Sequence, residues 1–352
     1  MGWLGASMVL YVLALAFSAA LGLRPDVSFP EVLKAKFFLL AWVVAAVGKD
    51  RRLLSFLVGV MTVGALYAAS YAVFEYHHPG EWKHQGLGLG RVAGPASDTI
   101  DFSARLLPML AFVTGVWAAT PSGSPVRSIA ASWCALAGLA LAYTSTRSNL
   151  VGLVVSLLVG AAVSRRRSLL VVAALVACLA ALPGSSLTER YVVGQDATVN
   201  SDQYRIDALR VGLSIARDAF PWGVGRSNFV LLHDQRKAVG QVSKLSSHNN
   251  YLDLLCECGL LGLVAFLLFH WGFLSRVIPA LREREPIDPL REGTLLGSLQ
   301  GFVAFMVFGL FHSNWTYLMP PAVLCALVGL GWAAAGLERA DDERHTFHRR
   351  QL

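Results

Sequence analysis

Ser246-Ser247-His248-Asn249-Asn250-Tyr251-Leu252-Asp253-Leu254-Leu255-Cys256-Glu257-Cys258-Gly259-Leu260-Leu261-Gly262-Leu263 runs without a break from a polar cluster into an apolar segment. It reads as a loop entering a membrane helix. Helix-favouring residues begin directly after Asn249 and Asn250, both good N-caps. The unpaired N–H groups of the first turn are therefore expected to point back towards His248 and to attract anions. Asp253 and Glu257 follow Asn249 at spacings of four, which puts three polar side chains on one face of an otherwise hydrocarbon-like helix. Carboxylates so placed rarely face lipid. The pattern predicts a site at one membrane surface.

The rest of the chain fits that setting. Of 352 residues, 55% are hydrophobic and 15% charged, and the mean hydropathy is +0.53, too apolar for an ordinary soluble protein of this size. About ten apolar runs are long enough to cross hydrocarbon about 30 Å thick. They do not alternate with period two, so they are expected to be helices rather than barrel strands. The expected fold class is all-α, a polytopic membrane protein with one large outer loop carrying an amphipathic helix. Its formal net charge of +7 lies in short loops between spans and does not point to nucleic acid. Cys134, Cys178, Cys256, Cys258 and Cys325 fall in or beside apolar runs and are read as small buried hydrophobes. Trp3 to Leu21 lacks the basic residues that precede a signal peptide's apolar region and is read as a retained span.

In order, a short polar link from Arg24 to Glu31 separates span one from span two, Val32 to Val47, and span three covers Leu53 to Phe74. Spans four to seven run Leu106–Ala119, Ile129–Tyr143, Leu150–Val163 and Leu169–Leu182; span eight ends near Val277, span nine covers Thr294–Phe311 and span ten ends near Ala335. This divides the chain into a bundle of seven transmembrane helices (1–182), a large loop (183–250), three further transmembrane helices (251–336) and a tail (337–352). With both termini in the cytoplasm, about fifteen basic residues lie on the inner side against about seven in the short loops opposite, as the positive-inside rule requires. His77 to Arg105, the Thr144 to Asn149 turn, the long loop and the connector His312-Ser313-Asn314-Trp315 then share the outer face.

Within the long loop, Ser201 or Asp202 is a candidate cap for a surface helix whose apolar face is Ile206, Leu209, Leu213 and Phe220, with Arg210 and Arg217 on another face and Arg205 in its first turn. Pro221-Trp222-Gly223-Val224-Gly225 ends it and reads as a turn rather than a nucleotide motif. Arg147 sits between two close-packed spans where topology gives no reason for a cation. It is expected to pair with Asp253, with Glu257 or with a bound phosphate, or to anchor at the interface. His77, His78, Glu81 and His84 fit no standard zinc spacing, no Asp-x-Asp pair is present, and no metal or cofactor is expected.

Thr144-Ser145-Thr146-Arg147-Ser148, Arg205, Pro221 through Phe229, and His248-Asn249-Asn250-Tyr251-Leu252 through Glu257 and Gly259 together resemble the O-antigen ligase and polymerase superfamily of bacterial envelopes. Gly90-Arg91-Val92-Ala93-Gly94 through Asp98 and Asp101 is similar to the family's earlier outer segment. The resemblance implies glycan transfer from a polyprenyl pyrophosphate carrier at the periplasmic face of the inner membrane, without metal or nucleotide. It assigns Arg147 and Arg205 to the donor pyrophosphate and His248 to the essential loop histidine, as base or as phosphate ligand. Arg91, Arg210, Asn249, Asp253 and Glu257 are candidate supporting residues. Typical members have about twelve spans, so the N-terminal region is where this chain is expected to fall short. Ligation to lipid A–core is the first expectation. The rivals are polymerisation of O-antigen, capsule or exopolysaccharide, transfer to protein, and non-catalytic transport of lipid or polysaccharide.

Overall fold

The computed structural model describes residues 2–78, 92–96, 98–181, 195–236, 246–283, 288–315 and 319–337, and among these every regular element is helical. The α-helices are α1 (Gly2–Leu21), α2 (Pro25–Val32), α3 (Phe37–Val47), α4 (Arg51–His77), α5 (Thr99–Ala119), α6 (Pro125–Tyr143), α7 (Arg147–Ser164), α8 (Arg167–Ala181), α9 (Gln195–Ala219), α10 (Phe229–Arg236), α11 (Asn250–Leu281), α12 (Pro289–Phe308) and α13 (Met319–Ala334). Six of them, α1, α4, α5, α6, α7 and α11, are long and apolar enough to cross a membrane. The all-α polytopic class follows directly. Exposed Phe56, Val60, Val63 and Tyr67 on α4 and Leu39, Trp42 and Val43 on α3 present the apolar surface such a bundle offers to lipid.

At the centre α5 packs along α12, flanked by α7 and α13. Gly293, Gly297 and Gly301 recur every four residues on α12, and a Cβ at Gly297 would stand 2.8 Å from the Phe112 ring of α5, one at Gly301 2.6 Å from the Pro108 carbonyl oxygen. Small residues at that spacing let the two backbones approach, the usual way membrane helices gain contact without a hydrophobic driving force.

Polar contacts gather at the two ends of this bundle. One end joins Arg51 to Asp288 and Arg166 to Glu292, with Arg276 stacked over Trp332. The other joins the turn after α1, the start of α5, the α6–α7 turn, the 220–229 loop, the start of α11 and residues 312–315. These are the same two groups that charge counting assigns to opposite sides.

Three elements differ from the sequence reading. Arg24 to Glu31 is not a bare link: α2 forms there, starting at Pro25, whose fixed φ suits the first helical position, and held by Leu23 N–H donating to Val224 O at 2.9 Å and Ser28 Oγ to Arg226 O at 2.8 Å. The expected second span is a 3-10 turn, Leu33–Lys36, followed by α3, whose 11 residues rise only about 16 Å. The loop helix α9 starts at Gln195, ahead of Ser201, and its packed face is the small one. Ala208, Ile215 and Ala216 are buried, with Gly212 against Leu252 and Ser247, while Ile206, Leu213 and Phe220 are exposed. Periodicity finds an apolar stripe but does not say whether protein or lipid covers it. Phe17 of α1 meets the exposed Trp222 ring edge-on at 5.6 Å, so the exposed stripe of α9 leads into the lipid-facing side of the bundle.

All five cysteines carry free thiols. Cys256, Cys258 and Cys325 are buried and Cys134 half-buried; Cys178 is exposed on the outside of α8, not buried as expected.

Candidate functional site

The organising stretch is not one continuous helix. Gly259 has φ 67° and ψ −168°, which separates a nine-residue helix, 250–258, from a 22-residue one, 260–281. The second piece rises about 33 Å and is long enough to span the membrane by itself. Asp253 and Glu257 therefore lie on a short helix ahead of it. A break of this kind orphans carbonyls, and the 221–225 segment supplies their partners. Val224 N–H donates to Cys256 O at 2.8 Å and Gly225 N–H to Glu257 O at 2.9 Å, while Leu260 N–H donates to Pro221 O at 2.8 Å. Ser18 Oγ of α1 also donates to Glu257 O. The approach requires glycine on both sides. Gly223 (φ 79°) and Gly225 (φ 89°) adopt left-handed conformations, and a Cβ on Gly223 would stand 2.5 Å from Gly259 N. The Pro221–Gly225 motif is a backbone plug in a broken helix.

The first turn of α11 also differs from expectation. Asn249 is the N-cap, and its Oδ1 accepts from Tyr251 N–H and Leu252 N–H, both at 3.0 Å. Asn250 N–H donates to Gly309 O at 2.8 Å and Asp253 N–H to Asn249 O at 2.9 Å. All four first-turn amides are thus satisfied within the protein, so they do not form the open anion site the sequence suggested. His248 precedes this cap, half-buried, with φ 59°. Left-handed backbone at a bulky residue is uncommon. Ser145 and Ser227, at φ 49° and 61°, share it at the same end of the molecule, and Arg165, at φ 58°, has it at the opposite end.

Both carboxylates are engaged. Asp253 Oδ1 accepts from Ser247 N–H at 2.7 Å, and its other oxygen accepts from Ser313 Oγ. Glu257 Oε2 accepts from Arg226 Nη1 at 3.0 Å, a pair about 95% removed from solvent, and Arg226 Nη2 reaches Trp315 O at 3.2 Å. Burial works against the charge on Arg226, but the surrounding acidic groups, Glu257 foremost and Tyr11, Cys258 and Glu31 after it, together outweigh it and hold the guanidinium above its ordinary pKa. Trp315 Nε1 donates to Tyr11 OH at 2.8 Å, bringing α1 into the network.

Arg147 begins α7, half-buried, with Thr146 as N-cap. Its neighbour Ser148 lies 2.8 Å from His312 Nε2. Asn149 Nδ2 donates to Ser103 Oγ of α5 at 3.1 Å and to Thr144 Oγ1 at 3.0 Å, so the turn is locked against α5. Arg205 lies seven residues before Gly212 and shares the face of α9 that packs on Ser247 and Leu252, about two turns away. Arg210 points elsewhere, exposed and 3.5 Å from Asp207. Arg91, Glu81 and His84 lie outside the described residues; Val92 N–H donates to Tyr143 O, just ahead of the Thr144 turn.

Arg147 and His248 thus flank the 309–315 connector, attached to it through Ser148 on one side and through Asn249, Asn250 and Asp253 on the other. Residues 132–267 match the O-antigen ligase family model. The matched stretch runs from α6 into α11 and contains Arg147, Arg205, the plug and His248, so the superfamily read from those motifs is supported independently. No curated protein and no solved structure matches the chain.

Arg226, His312, Ser313 and Trp315 were not singled out as site residues from sequence. Arg226 stood inside the quoted Pro221–Phe229 motif, and a cation between glycines and Asn228 was a usable signal. The connector was legible only as a topological link. In an O-antigen ligase-like stretch ending at residue 267, His312 and Trp315 belong to the site through space alone.

Proposed function

We propose that the chain is a polyprenyl-pyrophosphate-dependent glycosyltransferase of the bacterial inner membrane, with its site at the periplasmic face and lipid A–core as acceptor. The observation that supports this reading is that the family match encloses Arg147, Arg205 and His248, with Arg147 and His248 on either side of one connector. A pyrophosphate leaving group needs charge stabilisation, which two guanidiniums supply with planar donor forks matched to phosphate oxygens. The bound amides of α11 leave that role to the arginines.

His248 is the base in this scheme. A hydroxyl of the acceptor attacks the anomeric carbon of the donor glycan, and its proton passes to His248. The bond from that carbon to the pyrophosphate oxygen breaks, releasing polyprenyl pyrophosphate. Attack from the face opposite the leaving group inverts the anomeric configuration. Neither metal nor cofactor is invoked. The orientation rests on the excess of basic residues at the end opposite His248.

A deletion strain tests substrate and reaction together. Long glycan chains stranded on the polyprenyl carrier, with lipid A–core left bare, are the expected result. Lipid A carrying single repeat units would replace ligation with polymerisation, and normal pools of both would overturn the substrate assignment.

A further inference from the structure

The connector after α12 is buried although it is polar. His312, Ser313 and Asn314 are 3%, 5% and 0% exposed, in a place where apolar side chains would avoid the desolvation cost. Their hydrogen bonds are directional and run both ways. On one side His312 Nε2 meets Ser148 Oγ at 2.8 Å, one residue from Arg147. On the other, Ser313 Oγ donates to Asp253, whose second oxygen holds Ser247 N–H, one residue from His248.

The path Arg147-Ser148, His312-Ser313, Asp253, Ser247-His248 is therefore continuous, with two adjacent connector residues at its middle. Both flanks of the connector are pinned. Gly309 O accepts from Asn250 N–H at 2.8 Å, Trp315 N–H donates to Asn250 Oδ1 at 3.0 Å, and Asn314 bonds both Asn250 and Phe305 O. The His312 ring is stacked on Phe308, centroids 4.5 Å apart, which fixes the direction of Nε2.

We infer that His312 is a positioning residue: with Ser313 it forms a strap that sets the separation between Arg147 and His248. This rests on the reading of those two as pyrophosphate ligand and base. In this role the strap acts through Arg147 and His248 and not on donor or acceptor directly. It acts on rate because a misplacement of about 1 Å between reacting groups can cost about 100-fold.

The test uses the full chain in nanodiscs, titrated with undecaprenyl pyrophosphate as probe, together with glycan transfer in a deletion strain carrying each variant. H312F keeps the ring and its stacking but removes the hydrogen bond; H312Q restores a polar group at the end of a similar reach. H312F is expected to bind the probe within about twofold of wild type yet to transfer at least about tenfold more slowly, and H312Q to recover most of the rate. S148A, which removes the bond from the other side, is expected to add little to H312F.

Wild-type transfer by H312F, loss of probe binding in step with transfer, or an H312Q as defective as H312F would each overturn the strap. A wild-type chain that neither bound the probe nor restored glycan transfer would bring down the functional reading, and the strap with it. Wild-type binding and transfer alongside an unaffected H312F would remove the strap alone.

Discussion

At the end that gathers Arg51, Arg166 and Asp288, ion pairs join neighbouring helices along a partly wetted rim, buried Arg291 with its partner Glu283 being the exception; Arg51 is 66% exposed where it meets Asp288 at 2.7 Å. At the opposite end Arg226 and Glu257 meet at 3.0 Å almost wholly out of solvent, and buried Asn250 bonds Asn314, Asp253 bonds Ser313 and His312 bonds Ser148, tying α11 and α7 to the connector. Charges of the first kind are explained by topology and contribute little to stability. Charges of the second kind are costly to bury and strongly destabilising to break, so their retention points to a requirement for fixed geometry.

That contrast orders the expected effects of substitution. H248A and R147A should abolish glycan transfer while still inserting, and R147K should be nearly as poor because an ammonium lacks the planar fork, all measured by complementation of a deletion strain. R226M leaves Glu257 buried without its partner and should cost about 3–5 kcal/mol, read as a large drop in the thermal midpoint of the detergent-solubilised chain; an unchanged midpoint would mean the pair is not closed to water. G259A puts a side chain on backbone that is essentially glycine-only and faces Trp222 across the plug, for a loss of about 1–3 kcal/mol plus the clash. R51Q, at the opposite end, should change the midpoint by no more than about 0.5 kcal/mol equivalent. A larger effect from R51Q than from R226M would reverse the comparison.

Hydropathy and charge were enough to read the helical class and the grouping of loops into two ends, because both depend on sums over many residues. Arg147 was legible as a cation where topology gave no reason for one, and Arg205 and His248 through the motifs that resemble the family. What was not legible depends on single backbone positions and on partners distant in sequence. Gly259 looks like any glycine in an apolar run until the carbonyls of Cys256 and Glu257 are seen bonded to the 221–225 segment. The anion site expected at the start of α11 failed because Asn249 and the Gly309 carbonyl fill it, and a run of Asn residues does not announce which amides they will occupy. The face of α9 that packs on the protein was not legible because Ala208 and Gly212 carry little hydropathy yet permit the closest approach.

The first helix has its own bearing on how this chain can be taken apart. Ser18 reaches the Glu257 carbonyl at the break in α11, and the Tyr11 hydroxyl accepts a hydrogen bond from the indole N–H of Trp315, whose carbonyl in turn holds Arg226. The family-matching stretch, 132–267, is consequently not an autonomous module. A chimera in which an unrelated membrane anchor replaced α1 would still have its apolar length, but it would present no hydroxyl at the break and no phenol beneath the tryptophan.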